Sequence, residues 1–122
     1  MKRLFAVSAL LSVLLAPAAT FARPLTRVDQ AFVTAYQQQA RQVQSGRIRA
    51  IVQVQATNPE DLISTAKSVC VGLRSGLTMD EIIEAQVEAV VDQDGEVYEA
   101  TVQVLGITNG LAVPHYCPEQ AE

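Results

Sequence analysis

The 122-residue chain has no tryptophan and a single histidine, and only 5% of its residues are aromatic. Surfaces that hold sugars or nucleic-acid bases need exposed rings for stacking, so this shortage disfavours both functions. Charged residues reach only 18% against 49% hydrophobic residues, which excludes an intrinsically disordered chain. The formal net charge of −4 argues against nucleic-acid binding, which normally needs a basic surface. The length corresponds to one small domain.

Recognisable catalytic and cofactor motifs are missing as well. The sequence contains neither a Cys-x-x-Cys pair nor a glycine-rich phosphate loop. A catalytic triad would have to use His115 as its base, and the place of this residue near the chain end predicts a surface histidine. Pairs of carboxylates carry no information among thirteen acidic residues. We therefore expect a protein that is not an enzyme, with no catalytic, cofactor-binding or metal-binding residues.

Residues 1–22 have the pattern of a secretory signal peptide. Two basic residues come first, an apolar run over 4–15 follows, and a group of small residues ends the segment. Cleavage is expected after Ala22, with Ala19 as the alternative. The apolar run is shorter than the ~20 residues that a membrane span needs, which disfavours an uncleaved anchor. The sequence predicts export to the periplasm or the extracellular medium, with no transmembrane segment after cleavage.

The two cysteines, Cys70 and Cys117, predict a disulfide. Export places them in an oxidising compartment, where an even number of cysteines in a small domain indicates a bridge. Joining these positions closes a long loop and should stabilise the fold by about 4 kcal/mol. A metal site built from both thiols and His115 would lack a fourth ligand. An intermolecular bridge is the remaining alternative.

Apolar residues spaced three and four apart predict three amphipathic helices. The first spans about 26–45 and is expected to end at Gly46. The second begins at the run Asn58-Pro59-Glu60-Asp61, with Asn58 as its cap, presents Cys70 inward and stops at Gly76. The third, over about 78–93, begins with a capping box of Thr78 and Glu81.

Two further segments fit both a strand and a helix. Residues 47–56 alternate between apolar and polar but also contain a helical stripe, and residues 97–105 are equally ambiguous. We favour a helix for the latter, which the neighbouring apolar stripes need as a partner, and expect Asn109-Gly110 and Pro114 to break its end. If both segments were strands, they could pair as a small ribbon.

The predicted fold is mainly α: a small bundle of three to four helices closed by one disulfide, with a short two-stranded ribbon as an option. The expected organisation has four parts. They are a signal peptide at 1–22, an amphipathic helix with an ambiguous segment at 23–57, a disulfide-closed helical domain at 58–118 and a tail at 119–122.

The cysteine-containing segments resemble a family of small exported bacterial proteins classified as domain of unknown function number 732. The resemblance covers about residues 59–118. It rests on 66–70 (AKSVC), Gly72-Leu73, Gly76, Ile82-Ile83 and the terminal Tyr116-Cys117-Pro118. It implies a helical domain with a Cys70–Cys117 bridge, and it implies no activity. The chain departs from the family pattern in its longer, glutamine-rich N-terminal region and in Pro114.

Four acidic residues stand four positions apart and would line one face of the third helix: Asp80, Glu84, Glu88 and Asp92. They form a possible docking strip for cations or a basic partner. The alternative is a solvated face opposite the apolar stripe.

The run 92–96 also has a partial likeness to a calcium loop. Asp92, Asp94 and Gly95 fit three of its positions, but the first acid and the bidentate glutamate are absent. An Asp-Gly turn explains these residues more simply.

The two halves of the exported chain carry opposite charge. Without residues 1–22 the net charge is −6; residues 23–58 contribute +4 and residues 59–122 contribute −10. The basic half could bind an anionic lipid or polymer, or it could fold onto the acidic half of its own or a neighbouring chain. The wide spread of the arginines favours the second interpretation.

These patterns predict an exported helical module that acts without catalysis, either by binding or as a structural accessory, on an unknown protein or small ligand. In that case the surface should carry a contiguous apolar or single-sign patch. The alternative is a carrier of a small apolar ligand, which predicts a closed cavity of roughly 300 Å³ or more between helices. A hydrolytic enzyme comes last and would need His115 beside a carboxylate and a hydroxyl in a cleft.

Overall fold

The computed structural model describes residues 24–121, which form five α-helices and two short 3₁₀ turns and contain no strand. The helices are α1 (Arg27–Ala40), α2 (Gly46–Val54), α3 (Glu60–Arg74), α4 (Met79–Val90) and α5 (Gly95–Tyr116); the 3₁₀ turns are Gln55–Thr57 and Pro118–Gln120. The mainly helical prediction is confirmed. The expected three to four helices are too few, and both segments of the optional ribbon are helical. The predicted signal peptide, 1–22, lies outside the described residues.

Helix α1 ends earlier than its apolar pattern predicts. It begins with a capping box, in which the Thr26 hydroxyl accepts a hydrogen bond from the Asp29 amide at 3.0 Å. It stops at Ala40, and a short turn leads to Ser45, whose hydroxyl accepts from the Ile48 amide. Gly46 therefore begins α2, and the prediction that it ends α1 is wrong.

Most of the ambiguous segment 47–56 belongs to α2. Ile48 and Val52 stand four positions apart and are both buried, as one face of a helix requires. The Tyr36 hydroxyl of α1 donates a 2.7 Å hydrogen bond to the Val52 carbonyl, so the two helices are joined inside the core. The alternation of apolar and polar residues over 47–56 arises because the apolar run is too short to distinguish a strand from a helix.

Of the two predicted ends of α3, the start is wrong and the stop is confirmed. The helix begins at Glu60 with Pro59 as its N-cap and without a side-chain cap, so the prediction that Asn58 caps it is wrong. The stop at Gly76 is confirmed: its φ of 103° is a value that favours glycine. The amides of Gly76 and Leu77 bond back into the last turn of α3, as in a Schellman motif.

Helix α5 continues through all three residues that were expected to break it. Asn109 and Gly110 lie inside the helix, and Pro114 stands in its last turn. Pro114 lacks the N–H that would donate to Gly110, but only two more helical residues follow it. The Cys117 amide then donates to the Val113 carbonyl at 3.0 Å, so the helical path reaches the disulfide.

The core surrounds α5, which contacts each of the other helices. Its buried hydrophobic side chains come from all five helices: Phe32, Tyr36, Ala40, Ile48, Val52, Leu62, Ile63, Ala66, Val69, Cys70, Ile82, Ala100, Ile107, Leu111, Ala112 and, just beyond α5, Cys117. The Cys70–Cys117 disulfide is present and buried, with its Cα atoms 5.8 Å apart. Among residues 24–121, no helix combines the length and the apolar character that a membrane span requires.

A buried carboxylate joins α1 to the end of α5. Asp29 is only 5% exposed, and the Tyr116 hydroxyl donates a hydrogen bond to it. Burial alone would raise the pKa of Asp29, but the hydrogen bonds from Tyr116 and Thr26 outweigh it and hold the pKa below its ordinary value. Burial and the Asp29 carboxylate raise the pKa of Tyr116. The Tyr116 ring also packs edge-on against Phe32, at 5.5 Å between centroids.

Within residues 24–121, an ion pair joins the basic and acidic halves of the chain. Arg47 at the start of α2 lies 3.2 Å from Glu96 at the start of α5. Both side chains are exposed, so the pair contributes little to stability.

Candidate binding groove

Helix α4 is the least buried helix of the bundle. Ile82 is its only buried residue, and the neighbouring Ile83 remains 40% exposed. Ile82 can approach α3 because Gly72 has no side chain: a Cβ at Gly72 would lie 3.1 Å from the Ile82 Cδ1 atom. Much of the apolar stripe predicted for this helix therefore remains without a partner in the fold.

A half-open groove of about 340 Å³ lies between α4 and α5. Its walls are mainly apolar, and its lining residues are Met79, Ile83, Gln86, Val87, Val102, Leu105, Gly106, Asn109 and Gly110. The volume is at the lower end of the range for small-molecule sites. The groove opens to solvent, whereas the carrier hypothesis predicted a closed cavity.

A reciprocal amide pair spans the groove. Gln86 donates to the Asn109 side-chain oxygen at 3.1 Å, and Asn109 donates back to Gln86 at 2.7 Å. Asn109 is only 6% exposed, so an unpaired amide there would be costly. The pair fixes the position of α4 along α5 and uses the polar groups that would otherwise face an apolar ligand.

Two glycines form part of the α5 wall. Gly106 and Gly110 are exposed, and a Cβ at either position would meet no atom within 4 Å. A glycine inside a helix is about 1 kcal/mol less favourable than alanine. No contact within residues 24–121 requires this loss, whereas an approaching ligand would benefit from the open backbone.

Three acidic residues stand next to the groove in helical register, although none of them lines it; Glu99 also lines a separate depression against residues 42–45. Asp80, Glu84 and Glu99 each stand three residues before a lining residue, which places them on the same side of their helix one turn away. All three are exposed. From residue 75 to the end, the sequence has ten acidic residues and no lysine or arginine.

The four residues of the predicted docking strip are all exposed. Asp80, Glu84 and Glu88 lie on α4, while Asp92 follows the end of that helix in the turn before α5. Asp94 is the N-cap of α5, and Gly95 is its first residue. Within the described part of the chain, no three His, Cys, Asp or Glu side chains are grouped closely enough to hold a metal ion.

His115 lies outside the groove and is half-buried, less exposed than the surface histidine that the sequence predicts. Its ring packs edge-on against Phe32 at 6.0 Å, and Nδ1 lies 2.9 Å from the Leu111 carbonyl oxygen. The residue becomes half-buried because α5 extends past Pro114 and carries His115 onto α1. Its hydrogen bond is to the backbone of its own helix.

Sequence reasoning missed the main features of the groove and the buried Asp29. The spacing of Gly106 and Gly110, one helical turn apart, was a usable signal for an open stretch of backbone on one side of α5. Thr26 and Asp29 have the spacing of a capping box, which would have placed α1 accurately. No local pattern indicated that Gln86 and Asn109 would pair, because they meet only when α4 folds back on α5.

Comparison with known proteins gives one family. A family model described as "Protein of unknown function (DUF732)" matches residues 28–119. The matched stretch contains both cysteines and α2 to α5 in full. Neither the curated proteins nor the solved structures include a match to the chain.

Proposed function

The chain belongs to the DUF732 family of unknown function, and on this premise we propose that it is an exported, non-catalytic binding module. The observation that carries the proposal is the apolar groove between α4 and α5. Export rests on the pattern of residues 1–22, and a buried disulfide fits an oxidising compartment.

The groove leaves apolar side chains exposed to water when nothing is bound, and this unfavourable exposure supports a binding role. Ile83 and Val102 line the groove and are 40% and 37% exposed. A ligand that covers them would remove apolar surface from water, which favours binding. The Gln86–Asn109 pair keeps the groove walls in a fixed relation. A preformed groove loses little entropy on binding.

A carrier of a small apolar ligand is the second candidate. The groove volume of about 340 Å³ favours it, since small-molecule sites begin at roughly this size. A ligand held there would keep one side in water, which suits a surface-docked partner better than a carried apolar molecule.

The binding role can be tested with an apolar dye whose fluorescence rises when it leaves water. We expect the wild-type protein to bind the dye and Val102→Asp to lose most of the signal. Val71→Asp is the matched control because Val71 is 62% exposed on α3, outside the groove. Circular dichroism verifies that both variants fold. Absence of dye binding by the wild type, or equal loss in both variants, would contradict the proposal.

Export needs a separate test. Mass spectrometry of protein from the exported fraction should find Arg23 at the N-terminus and both cysteines protected from alkylation. A retained 1–22 segment would show that the export part of the proposal is wrong.

A further inference from the structure

The α4–α5 hairpin, residues 79–116, carries charge of one sign only. It carries eight acidic residues and no lysine or arginine. Only Glu96 among these carboxylates pairs with a cation in the described residues, through Arg47. An apolar groove flanked by negative charge favours a ligand that has an apolar face with positive charges next to that face.

The shape of the groove favours a helix as that ligand. Both walls are helices, so the lining side chains repeat at three- and four-residue intervals, which is the spacing of the ridges on another helix. Gly106 and Gly110 leave the α5 backbone open along one line. A row of side chains from a third helix can enter there while its backbone remains outside.

We propose that the groove binds a cationic amphipathic helix of a partner protein, which lays its apolar face between α4 and α5 and directs its lysines and arginines to Asp80, Glu84 and Glu99. The proposal rests on the binding function proposed above and names the chemistry of the partner.

Two other occupants are disfavoured by the same charges. A second copy of this chain that presented the same hairpin would bring its own eight carboxylates to the interface, and like charges repel. An anionic lipid surface would be repelled in the same way.

The test uses the mature, oxidised protein and two synthetic helical peptides of about 15 residues. Both peptides have the same leucine face; one has lysine beside it and its twin has glutamate. Fluorescence anisotropy should show the lysine peptide binding at least roughly tenfold more tightly than its twin. This preference should shrink as salt is raised, because exposed charges are screened.

Two variants locate the binding. Gly106→Leu fills the groove and improves helix propensity, so it should fold and abolish binding of the lysine peptide. Gln37→Leu adds the same side chain on α1, away from the groove, and should bind as the wild type does. The double variant Glu84→Gln/Glu99→Gln should weaken binding roughly threefold or more, as the loss of these flanking charges predicts. Asp61→Asn, which removes a carboxylate from α3, should have no effect.

The outcomes separate this proposal from the binding function. If the dye binds in the groove but the two peptides bind equally, or neither binds, the cationic helix is excluded and the binding function survives. Peptide binding that is unchanged in Gly106→Leu also overturns the inference. Groove-dependent binding to phosphatidylcholine vesicles without peptide binding would assign the site to membranes instead. Failure of the dye itself removes the binding function.

Discussion

Tyr116 and Cys117 are adjacent residues with different partners. The Tyr116 hydroxyl bonds to Asp29 on α1, and the Cys117 sulfur bonds to Cys70 on α3. One end of α5 is therefore attached to two other helices by consecutive side chains. This arrangement gives a physical role to the Tyr-Cys-Pro sequence, which the resemblance alone could not explain.

Tyr116→Phe should test the hydrogen-bonded half of this attachment. It leaves the Asp29 carboxylate buried without its hydroxyl donor, so the free energy of unfolding should fall by about 1–3 kcal/mol in urea titrations. Tyr98→Phe is the control, because Tyr98 is half-buried on the same helix and its hydroxyl has no hydrogen bond in the described residues. Equal losses in the two variants would contradict the role assigned to Asp29.

The loss of folding stability at acid pH should also depend on Asp29. Its pKa in the folded protein lies below the ordinary 3.8, so its contribution is complete above about pH 4 and is lost as the pH falls through the lowered value. Tyr116→Phe should raise the pKa of Asp29. A carboxyl titration followed by NMR should show this rise, and an unchanged value would refute it.

The loss of folding stability at alkaline pH should depend on Tyr36. Burial raises its pKa from 10.0 to about 12. The folded protein therefore holds the tyrosine proton more tightly, and stability that is complete below pH 10 is lost as the pH rises towards 12. Tyr36→Phe should lower stability at neutral pH and flatten this alkaline decline. Urea midpoints measured at intervals from about pH 8 to about 12 test this, and identical slopes for variant and wild type would disprove it.

At the scale of helices, the sequence predicted two ends that are determined within a single turn, the start of α4 and the stop of α3 at Gly76. The Thr78–Glu81 capping box formed, with hydrogen bonds of 2.8 and 3.1 Å, because both partners are local. Gly46 and Pro114 were misinterpreted, since the effect of each residue depends on its neighbours. Ser45 caps a new helix immediately before Gly46, and the disulfide lies just beyond Pro114. The strand-like segment 47–56 could be resolved only by contacts with Tyr36 on another helix.

Two glycine substitutions should differ in their effect on stability. Gly106→Ala adds a methyl group into open space and improves helix propensity, so it should stabilise the protein by about 0.5–1 kcal/mol. Gly72→Ala brings the same gain in helix propensity, but the new Cβ would lie 3.1 Å from the Ile82 Cδ1 atom, so Ile82 must shift and the net gain should be smaller. Thermal unfolding measures both changes. A loss of stability in Gly106→Ala would mean that the groove wall is already occupied.

At the scale of the whole molecule, the disulfide and the helical class were predictable, while the groove was not. The cysteines could be paired from their number and from the export that the sequence predicts. Ile82 is the one residue of α4 that is buried in the bundle. Other apolar residues of α4 line the groove that separates this helix from α5. The acidic residues of the strip were recognised, but their meaning depends on the groove beside them.

Loss of the disulfide should destabilise the whole bundle and then the groove. The bridge joins residues 47 positions apart, and its removal should lower the free energy of unfolding by about 4 kcal/mol, out of the ~5–15 kcal/mol typical of a small domain. Cys70→Ala/Cys117→Ala removes it without leaving a thiol. Gly72, on which α4 packs, is two residues from Cys70, so the variant should also bind an apolar dye less tightly under conditions where it stays folded. Urea titration measures the first effect and dye fluorescence the second. Full stability in the double variant would mean that packing around α5 holds the helices together without the bridge.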